Sequence, residues 1–164
     1  MKKAKILVSL ILALALVFSV SASAFAKTPP SNVVNKFKKF DETAWGAYGA
    51  YVCIAQRFLA RYDATTSKFI NRSGGVDGIF GDGTYYATVA FQTKVFSDGH
   101  EWDGIVGPKT WAKIGSRMDF KDRSEEGLIW DFSYKGDHIF VIISGNVYVS
   151  DKYGNTHSKA INNF

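Results

Sequence analysis

Three histidines and one cysteine are the side chains of this sequence best suited to metal binding or nucleophilic catalysis. His100, His138 and His157 are widely separated, whereas a zinc site needs clustered ligands. Cys53 lies inside an apolar stretch, where a lone thiol is usually a small buried hydrophobe. We therefore predict no metal, no cofactor and no catalytic residue. A pair of carboxylates about 5–10 Å apart could still cleave a glycosidic bond, and the sequence leaves that alternative open.

A ten-residue segment that occurs twice, 26 positions apart, is the second feature with chemical potential. Residues 76–85 read VDGIFGDGTY, and residues 102–111 read WDGIVGPKTW. Each copy begins with an Asp-Gly pair, which favours a turn because glycine adopts positive φ freely and aspartate bonds nearby backbone amides. An apolar pair and the start of a helix follow the turn. We expect the two units to share one core, with the apolar pairs 79–80 and 105–106 pointing into it.

The first 26 residues have the layout of a secretory signal peptide. Three lysines precede an apolar run over residues 6–20, and a small-residue cleavage site ends at Ala26. The run is shorter than the roughly 20 residues that cross a bilayer, so we expect cleavage and no membrane association afterwards. Loss of these lysines lowers the net charge from +5 to +2, which is too small to indicate nucleic-acid binding. We predict a secreted, extracellular protein.

Three short helices are predicted between residues 45 and 116, and residues 27–44 read as a leader or linker. Apolar residues at three- and four-residue steps place the helices at about residues 45–61, 83–95 and 108–114, the last ending at Gly115. Residues 65–75 read as a mostly polar connection. The side chains of the second helix that we expect to face inward are Tyr86, Val89, Ala90 and Phe91.

From about residue 128 onward the apolar residues alternate, and Gly, Asn and Asp clusters interrupt them. This pattern is typical of antiparallel strands joined by short turns. It predicts a β-meander of three or four strands after a connector over residues 117–127. The predicted fold class is α+β, with a small three-helix bundle in residues 45–116 and a C-terminal antiparallel β-meander within the β-rich extension, residues 117–164.

A specific pattern spans residues 48–115, roughly half of the chain that remains after cleavage. It consists of Val52, Gln56 and Leu59, residues 76–84, then Ala87, Phe91 and Gln92, and residues 103–111. This pattern resembles the type 1 peptidoglycan-binding domain. The resemblance implies a three-helix, non-catalytic module that binds cell-wall peptidoglycan. The chain departs from the family pattern at Ala55, where leucine is frequent, at residues 82–83, which replace a Pro-Lys type pair, and in the long loop over residues 62–75.

Peptidoglycan offers hydroxyls, N-acetyl groups and apolar sugar faces on its glycan strands, with amides and carboxylates on its stem peptides. A receptor for it needs shallow aromatic surfaces beside a few hydrogen-bonding groups. We predict that the ligand lies over the start of the second helix and the second Asp-Gly turn. Core packing of Trp111 and turn formation by Asp103 are the competing interpretations. The predicted ligand-binding residues are Asp82, Tyr85, Gln92, Trp102, Asp103 and Trp111.

Three functions are compatible with these patterns. The leading one is non-catalytic binding of peptidoglycan by a secreted protein. The second is a wall-anchored adaptor or inhibitor whose β-rich extension binds another protein. The third is a peptidoglycan hydrolase with an unrecognised site in residues 117–164.

Overall fold

The structure, a computed structural model, describes residues 31–123 and 129–161. The predicted signal peptide, residues 1–26, lies outside the described residues. The described residues form a mixed α+β fold, which confirms the predicted class, and none of their helices has the length and apolar character needed to cross a bilayer. The helices are α1 (Ser31–Phe37), α2 (Ala50–Tyr62), α3 (Ala64–Arg72), α4 (Asp82–Val95) and α5 (Pro108–Gly115), with a short 3-10 helix at Gly99–Glu101. The strands are β1 (Asp119–Asp122), β2 (Ile129–Tyr134), β3 (Asp137–Ile143), β4 (Asn146–Ser150) and β5 (Thr156–Ala160).

The helical part of the described chain contains five α helices instead of the three predicted. The segment 65–75, which we predicted to be a polar connection, contains α3. Its start is a capping box, in which the Asp63 carboxylate accepts hydrogen bonds from the Thr65 and Thr66 amides at 2.8 and 3.0 Å. The Thr66 hydroxyl accepts one from the Asp63 amide in return. The helix buries few side chains, mainly Thr66 and Ile70, so its apolar periodicity is weak.

Helix α2 starts at Ala50, five residues later than predicted. Gly46 and Gly49 have φ values of 87° and 105°, which no helix accommodates. The residues between them therefore form an irregular segment instead of the first turn of the helix.

The predicted inward face of α4 is wrong except at Phe91. Tyr86 is 54% exposed, and the buried face is formed by Ala87, Thr88, Phe91 and Gln92. The orientation of α4 is set by its close packing on α3 at Gly83. A side chain at this position would clash with α3, because a Cβ at Gly83 would lie 2.7 Å from the Phe69 carbonyl oxygen. Because α3 was not predicted, the face that packs on it was not predicted either.

Residues 31–40, which we predicted to belong to a leader or linker, are part of the core. Val33, Phe37 and Phe40 are buried. A Cβ at Gly115 would lie 2.7 Å from the Phe37 ring, so Gly115 lets α1 pack closely on α5. The Phe37 ring also meets the Phe132 ring of the sheet edge-on at a centroid distance of 5.2 Å, and α1 therefore connects the helices to the sheet.

The sheet is a five-stranded antiparallel meander in the order β1 to β5. Positive φ values at Lys135, Gly136, Ser144 and Gly145 give the two tight hairpins the backbone of type I′ turns. The prediction of three or four strands missed β1, which lies in the predicted connector. Both edge strands, β1 and β5, are polar, so their sequences show little period-two alternation. Polar edge strands also discourage pairing with other chains.

The sheet and the helices share one hydrophobic core. Phe132 and Phe140 of the sheet are fully buried in the same cluster as Phe58 and Trp111 of the helices. Polar contacts reinforce the junction, because Lys135 Nζ donates to the Arg61 and Tyr62 carbonyls at the end of α2, at 3.0 and 2.7 Å. The β-rich extension is therefore part of the same folded unit as the helices.

Candidate functional site

The first Asp-Gly turn is held by the side chain of Gln56, which projects from α2. Its amide nitrogen donates to Asp77 Oδ1 at 2.9 Å and to the Ile79 carbonyl at 3.0 Å, and lies 3.0 Å from Thr84 Oγ1. Its amide oxygen accepts from the backbone amides of Asp77 and Gly78 at 3.1 and 2.9 Å. One buried side chain thus connects α2, the turn and the first turn of α4.

The second turn is held in the same way by Gln92, which projects from α4. Its amide nitrogen donates to Asp103 Oδ1 at 2.8 Å, to the Ile105 carbonyl at 2.9 Å and to Thr110 Oγ1 at 3.2 Å. Its amide oxygen accepts from the Gly104 amide at 2.9 Å. Gln92 is 1% exposed, so this side chain positions the turn and offers no surface to a ligand, contrary to the role we predicted for it.

Residues 41–48, which we call the bridging segment, run between the two turns. Thr43 exchanges both backbone hydrogen bonds with Val106 of the second turn, at 3.3 and 2.9 Å. Further along, the Ala47 carbonyl accepts from the Phe80 amide of the first turn at 2.8 Å. The bridging segment therefore fixes the two turns relative to each other.

This pairing corrects the expected orientation of the two apolar pairs. Phe80 and Val106 are buried. Ile79 is 60% exposed, and Ile105 is half-buried. Successive side chains of an extended segment point to opposite sides, so only one residue of each pair enters the core.

Two of the predicted ligand-binding residues lie beside the turns, where Asp82 is exposed and Tyr85 is partly buried. Asp82 Oδ1 accepts a hydrogen bond from Trp45 Nε1 at 3.0 Å. The Tyr85 ring lies against Gly104 in the second turn, where a Cβ would be 2.1 Å from Tyr85 Cε2. The start of α4 and the second turn therefore form a continuous surface, and Asp103 is the residue next to Gly104 on it.

The two predicted tryptophans differ in their exposure. Trp102 is partly exposed, but its ring packs on Gly99 and its Nε1 donates to the Phe96 carbonyl at 3.3 Å. Trp111 is fully buried, as the core-packing interpretation holds, and its Nε1 donates to the Asp41 carbonyl at 3.2 Å. Trp111 thus holds the bridging segment from the core side, and its ring has no exposed face on which a sugar could stack.

Two adjoining cavities lie along the bridging segment. The larger, about 310 Å³, is lined by Glu42, Glu101, Asp103, Ile105, Gly107, Pro108, Lys109 and Thr110. The smaller, about 140 Å³, is lined by Asp41, Glu42, Thr43, Ala47, Tyr48, Ala50, Tyr51 and Lys159. Glu42 belongs to both walls, and we call the combined depression the trench. Tyr48 at its rim is 86% exposed, and Trp45, three residues earlier, is 70% exposed.

The trench carries more negative than positive charge. Its carboxylates are those of Asp41, Glu42, Glu101 and Asp103, and its cations are Lys109 and Lys159. Lys109 pairs with Glu101, and this hydrogen bond raises the pKa of the Lys109 ammonium. Lys159 pairs with Asp41 at 3.2 Å. Glu42 forms no ion pair with the residues that the structure describes.

A separate depression of about 570 Å³ lies on the face of the sheet that is turned away from the helices. Asp131 in its wall pairs with Arg123 and lies 2.8 Å from His138 Nδ1. Burial alone would raise the pKa of Asp131, but hydrogen bonds with His138 and Arg123 outweigh it, and the pKa is lowered. Ser133 lies opposite His138 in the ladder. Among the described residues, however, no hydrogen bond joins its hydroxyl to the imidazole, as a serine nucleophile would require.

Cys53 is fully buried at the start of α2. Burial is the main cause that raises the pKa of its thiol to about 12, and the negative charge of Asp151 is the second. A thiol with this pKa is protonated at neutral pH and is a poor nucleophile. Within residues 31–123 and 129–161 no group of three or more His, Cys, Asp or Glu side chains is arranged to hold a metal ion.

The sequence analysis missed the residues of the bridging segment that contribute most surface, namely Trp45, Tyr48 and Glu42. We had assigned the first two to a helix and the third to a linker. The available signal was the pair Gly46 and Gly49, because two glycines three residues apart disfavour a helix start between aromatic residues. Comparisons with protein-family models, with curated proteins and with solved structures found no match.

Proposed function

We propose that the chain is a secreted, non-catalytic protein that binds cell-wall peptidoglycan through the trench. The observation that carries this proposal is the repeated arrangement of the two glutamine-held turns. Gln56 and Gln92 hold the turns rigidly beneath one surface that combines exposed aromatic rings with carboxylates. A rigid surface loses little conformational entropy on binding, which favours recognition of a polymer by shallow contacts.

The chemistry of the trench suits peptidoglycan. The exposed ring of Tyr48 at its rim, and that of Trp45 in the same bridging segment, offer platforms for the apolar faces of sugars. The carboxylates of Glu42 and Asp103 accept hydrogen bonds from hydroxyls, amides or amines. A chain of peptide and sugar units could follow the bridging segment across both cavities.

The test is sedimentation of the full mature chain with purified, insoluble peptidoglycan. We expect the wild-type chain to pellet, and we expect the double variant Trp45→Ala, Tyr48→Ala to bind at least tenfold more weakly, because each aromatic contact contributes about 1 kcal/mol or more. The matched control is Tyr153→Ala, since Tyr153 is also highly exposed but lies in the β4–β5 loop. A wild-type chain that stays in the supernatant, or that dissolves the polymer, contradicts the proposal.

A second candidate function is binding of a protein partner by the outer face of the sheet. The depression around Asp131 and His138 favours it, because a network of charged side chains on a surface gives specificity to an interface. The test is whether a wall hydrolase is retained on the immobilised chain and released by His138→Ala. Retention that is unaffected by this substitution argues against the outer face.

A further inference from the structure

Trp45 is the most exposed tryptophan among the described residues, at 70%. Its Nε1 donates a hydrogen bond to Asp82 Oδ1 at 3.0 Å. By contrast, Trp102 and Trp111 donate to backbone carbonyl oxygens. The Trp45 indole is therefore held at the surface by a side chain, with most of its ring open to solvent.

The hydrogen bond determines what the Trp45 ring offers to a ligand. An indole has one polar group, the N–H, and in Trp45 this group is already bonded to Asp82. The rest of the ring is an apolar surface. A ring that is fixed before binding also loses little rotamer freedom when a ligand stacks on it. Trp45 is thus a preformed apolar platform.

Asp82 marks a difference between the two repeated units. It is the first residue of α4, the position that Pro108 takes in α5. Proline suits the first position of a helix, but it has no side-chain acceptor for an indole N–H. The aspartate of the first unit supplies that acceptor, and the helix start alone does not require it.

Tyr48, three residues after Trp45 in the bridging segment, extends the apolar surface. It is 86% exposed and pairs through an isolated antiparallel bridge with Ile79, which is 60% exposed. Side chains of residues that pair directly lie on the same face, so Tyr48 and Ile79 adjoin each other. Two exposed rings along one segment suit a polymer of repeated units.

We propose that Asp82 is a positioning residue, which holds the Trp45 indole as a stacking platform for the glycan strand of peptidoglycan. The apolar face of a sugar ring matches an aromatic face whose N–H is already bonded. The amides and carboxylates of stem peptides need hydrogen-bond partners that this ring does not offer. The inference rests on the proposed function, because it assigns the part of peptidoglycan that the bridging segment binds.

The experiment measures binding of the full mature chain to purified, insoluble peptidoglycan in the presence of two soluble competitors. One consists of glycan strands from which the stem peptides have been removed, and the other is the released stem peptides. Asp82→Pro copies the helix start of the second unit and removes the acceptor, whereas Asp82→Asn keeps an acceptor oxygen. Asp82→Pro is also tested in the Trp45→Ala background, and Tyr153→Ala is the control.

We expect the glycan strands to displace the wild-type chain from the polymer and the stem peptides to leave it bound. Asp82→Pro should weaken binding roughly three- to tenfold, since a mobile indole must be ordered on binding. Asp82→Asn and Tyr153→Ala should bind as the wild type. In the Trp45→Ala background Asp82→Pro should have no further effect, because a positioning residue acts only through the ring that it holds.

A second measurement follows the Trp45 ring itself. In the wild type, nitrogen-15 relaxation of the Trp45 Nε1–H group should give an order parameter above about 0.8, and in Asp82→Pro it should fall below about 0.6. The melting temperature should change little, since proline preserves the helix start. Loss of binding and of ring order at unchanged stability distinguishes positioning from a structural role of Asp82.

The outcomes separate the inference from the proposed function. If the wild-type chain ignores insoluble peptidoglycan, the proposed function fails and the inference fails with it. If it binds, but Asp82→Pro binds as tightly or leaves the Trp45 ring as ordered, the proposed function stands and the positioning role is overturned. If the stem peptides displace the chain and the glycan strands do not, the assignment to the glycan strand is overturned.

Discussion

Gln56 of α2 and Gln92 of α4 make equivalent hydrogen bonds, each to the aspartate and the isoleucine carbonyl of the turn that it holds and to a threonine hydroxyl of the helix that follows. The duplication that is visible in the sequence therefore extends to the side chain that stabilises each copy. Both glutamines are buried, so each of them positions its turn and does not itself contact a ligand. The groups available for binding lie on the surface above the two glutamines.

Removal of either glutamine should destabilise the protein substantially. Gln92→Ala leaves the Gly104 amide without its partner and removes one of the two side-chain hydrogen bonds that the Ile105 carbonyl accepts. A buried polar group without a partner costs about 1–3 kcal/mol. We expect a loss of roughly 3 kcal/mol or more in the free energy of unfolding, measured by urea denaturation. Asn71→Ala is the control, because the Asn71 amide is exposed and bonds only Ser67 among the described residues. A loss below about 1 kcal/mol for Gln92→Ala would show that the turn does not depend on it.

Thr43→Val should stabilise the protein. The substitution removes a buried hydroxyl that has no partner among the described residues and leaves the shape of the side chain nearly unchanged. We expect the melting temperature to rise by a few degrees, which corresponds to about 1 kcal/mol. A lower melting temperature, measured by thermal unfolding at neutral pH, would indicate that the hydroxyl is hydrogen-bonded in the folded protein.

The helices should not fold without the sheet. Phe140 of β3 stacks on Phe132 at a centroid distance of 4.6 Å and also contacts Phe37 and Phe40 of the helical part. Phe140→Ala should cost about 3–5 kcal/mol of stability, and a chain that ends at residue 116 should show no cooperative thermal transition by circular dichroism. A truncated chain that unfolds cooperatively would show that the helices form an independent domain.

Stability should fall in strong acid because of Asp151, whose side chain organises the β4–β5 loop. Burial raises its pKa, but hydrogen bonds from Asn155, His157 and the Tyr153 amide outweigh this effect and lower the pKa from 3.8 to about 2. A lowered pKa in the folded state means that Asp151 stabilises the protein fully above about pH 4. This stabilisation is lost as the pH falls from about 4 to about 2.

The measurement for Asp151 is the free energy of unfolding against pH, for the wild type and for Asp151→Asn. The variant should be less stable at pH 6, and the difference between the two proteins should shrink towards pH 2. A difference that does not change over this interval would exclude Asp151 as the source of the acid sensitivity.

The sequence predicted features that depend on local chemistry. The Asp-Gly turns, the starts of α4 and α5, and the alternating strands β2 to β4 follow from glycine at positive φ, from Pro108 and from period-two apolar residues. The features that it missed depend on tertiary packing. Helix α1 is short and has little apolar periodicity, yet Phe37 fits against Gly115, and α3 is polar, yet it packs closely on Gly83.

The same distinction applies to the candidate site. Asp82, Tyr85 and Asp103 were predicted from the repeat, and the partly buried Tyr85 ring lies against Gly104, the residue after Asp103. Glu42 and Tyr48 come from a segment outside the repeat, and only the pairing of Thr43 with Val106 brings that segment between the turns. A contact between residues so far apart in the chain has no local signal that would reveal it.

The central claim is that the trench is the surface that binds peptidoglycan. Backbone amide chemical shifts of the nitrogen-15-labelled mature chain, followed during titration with a soluble peptidoglycan fragment, test it most directly. We predict that the amides that shift belong to residues 41–51 and 101–110, which contain most of the lining of the trench. Shifts confined to the outer face of the sheet around His138, or no shifts at millimolar fragment, would contradict the account.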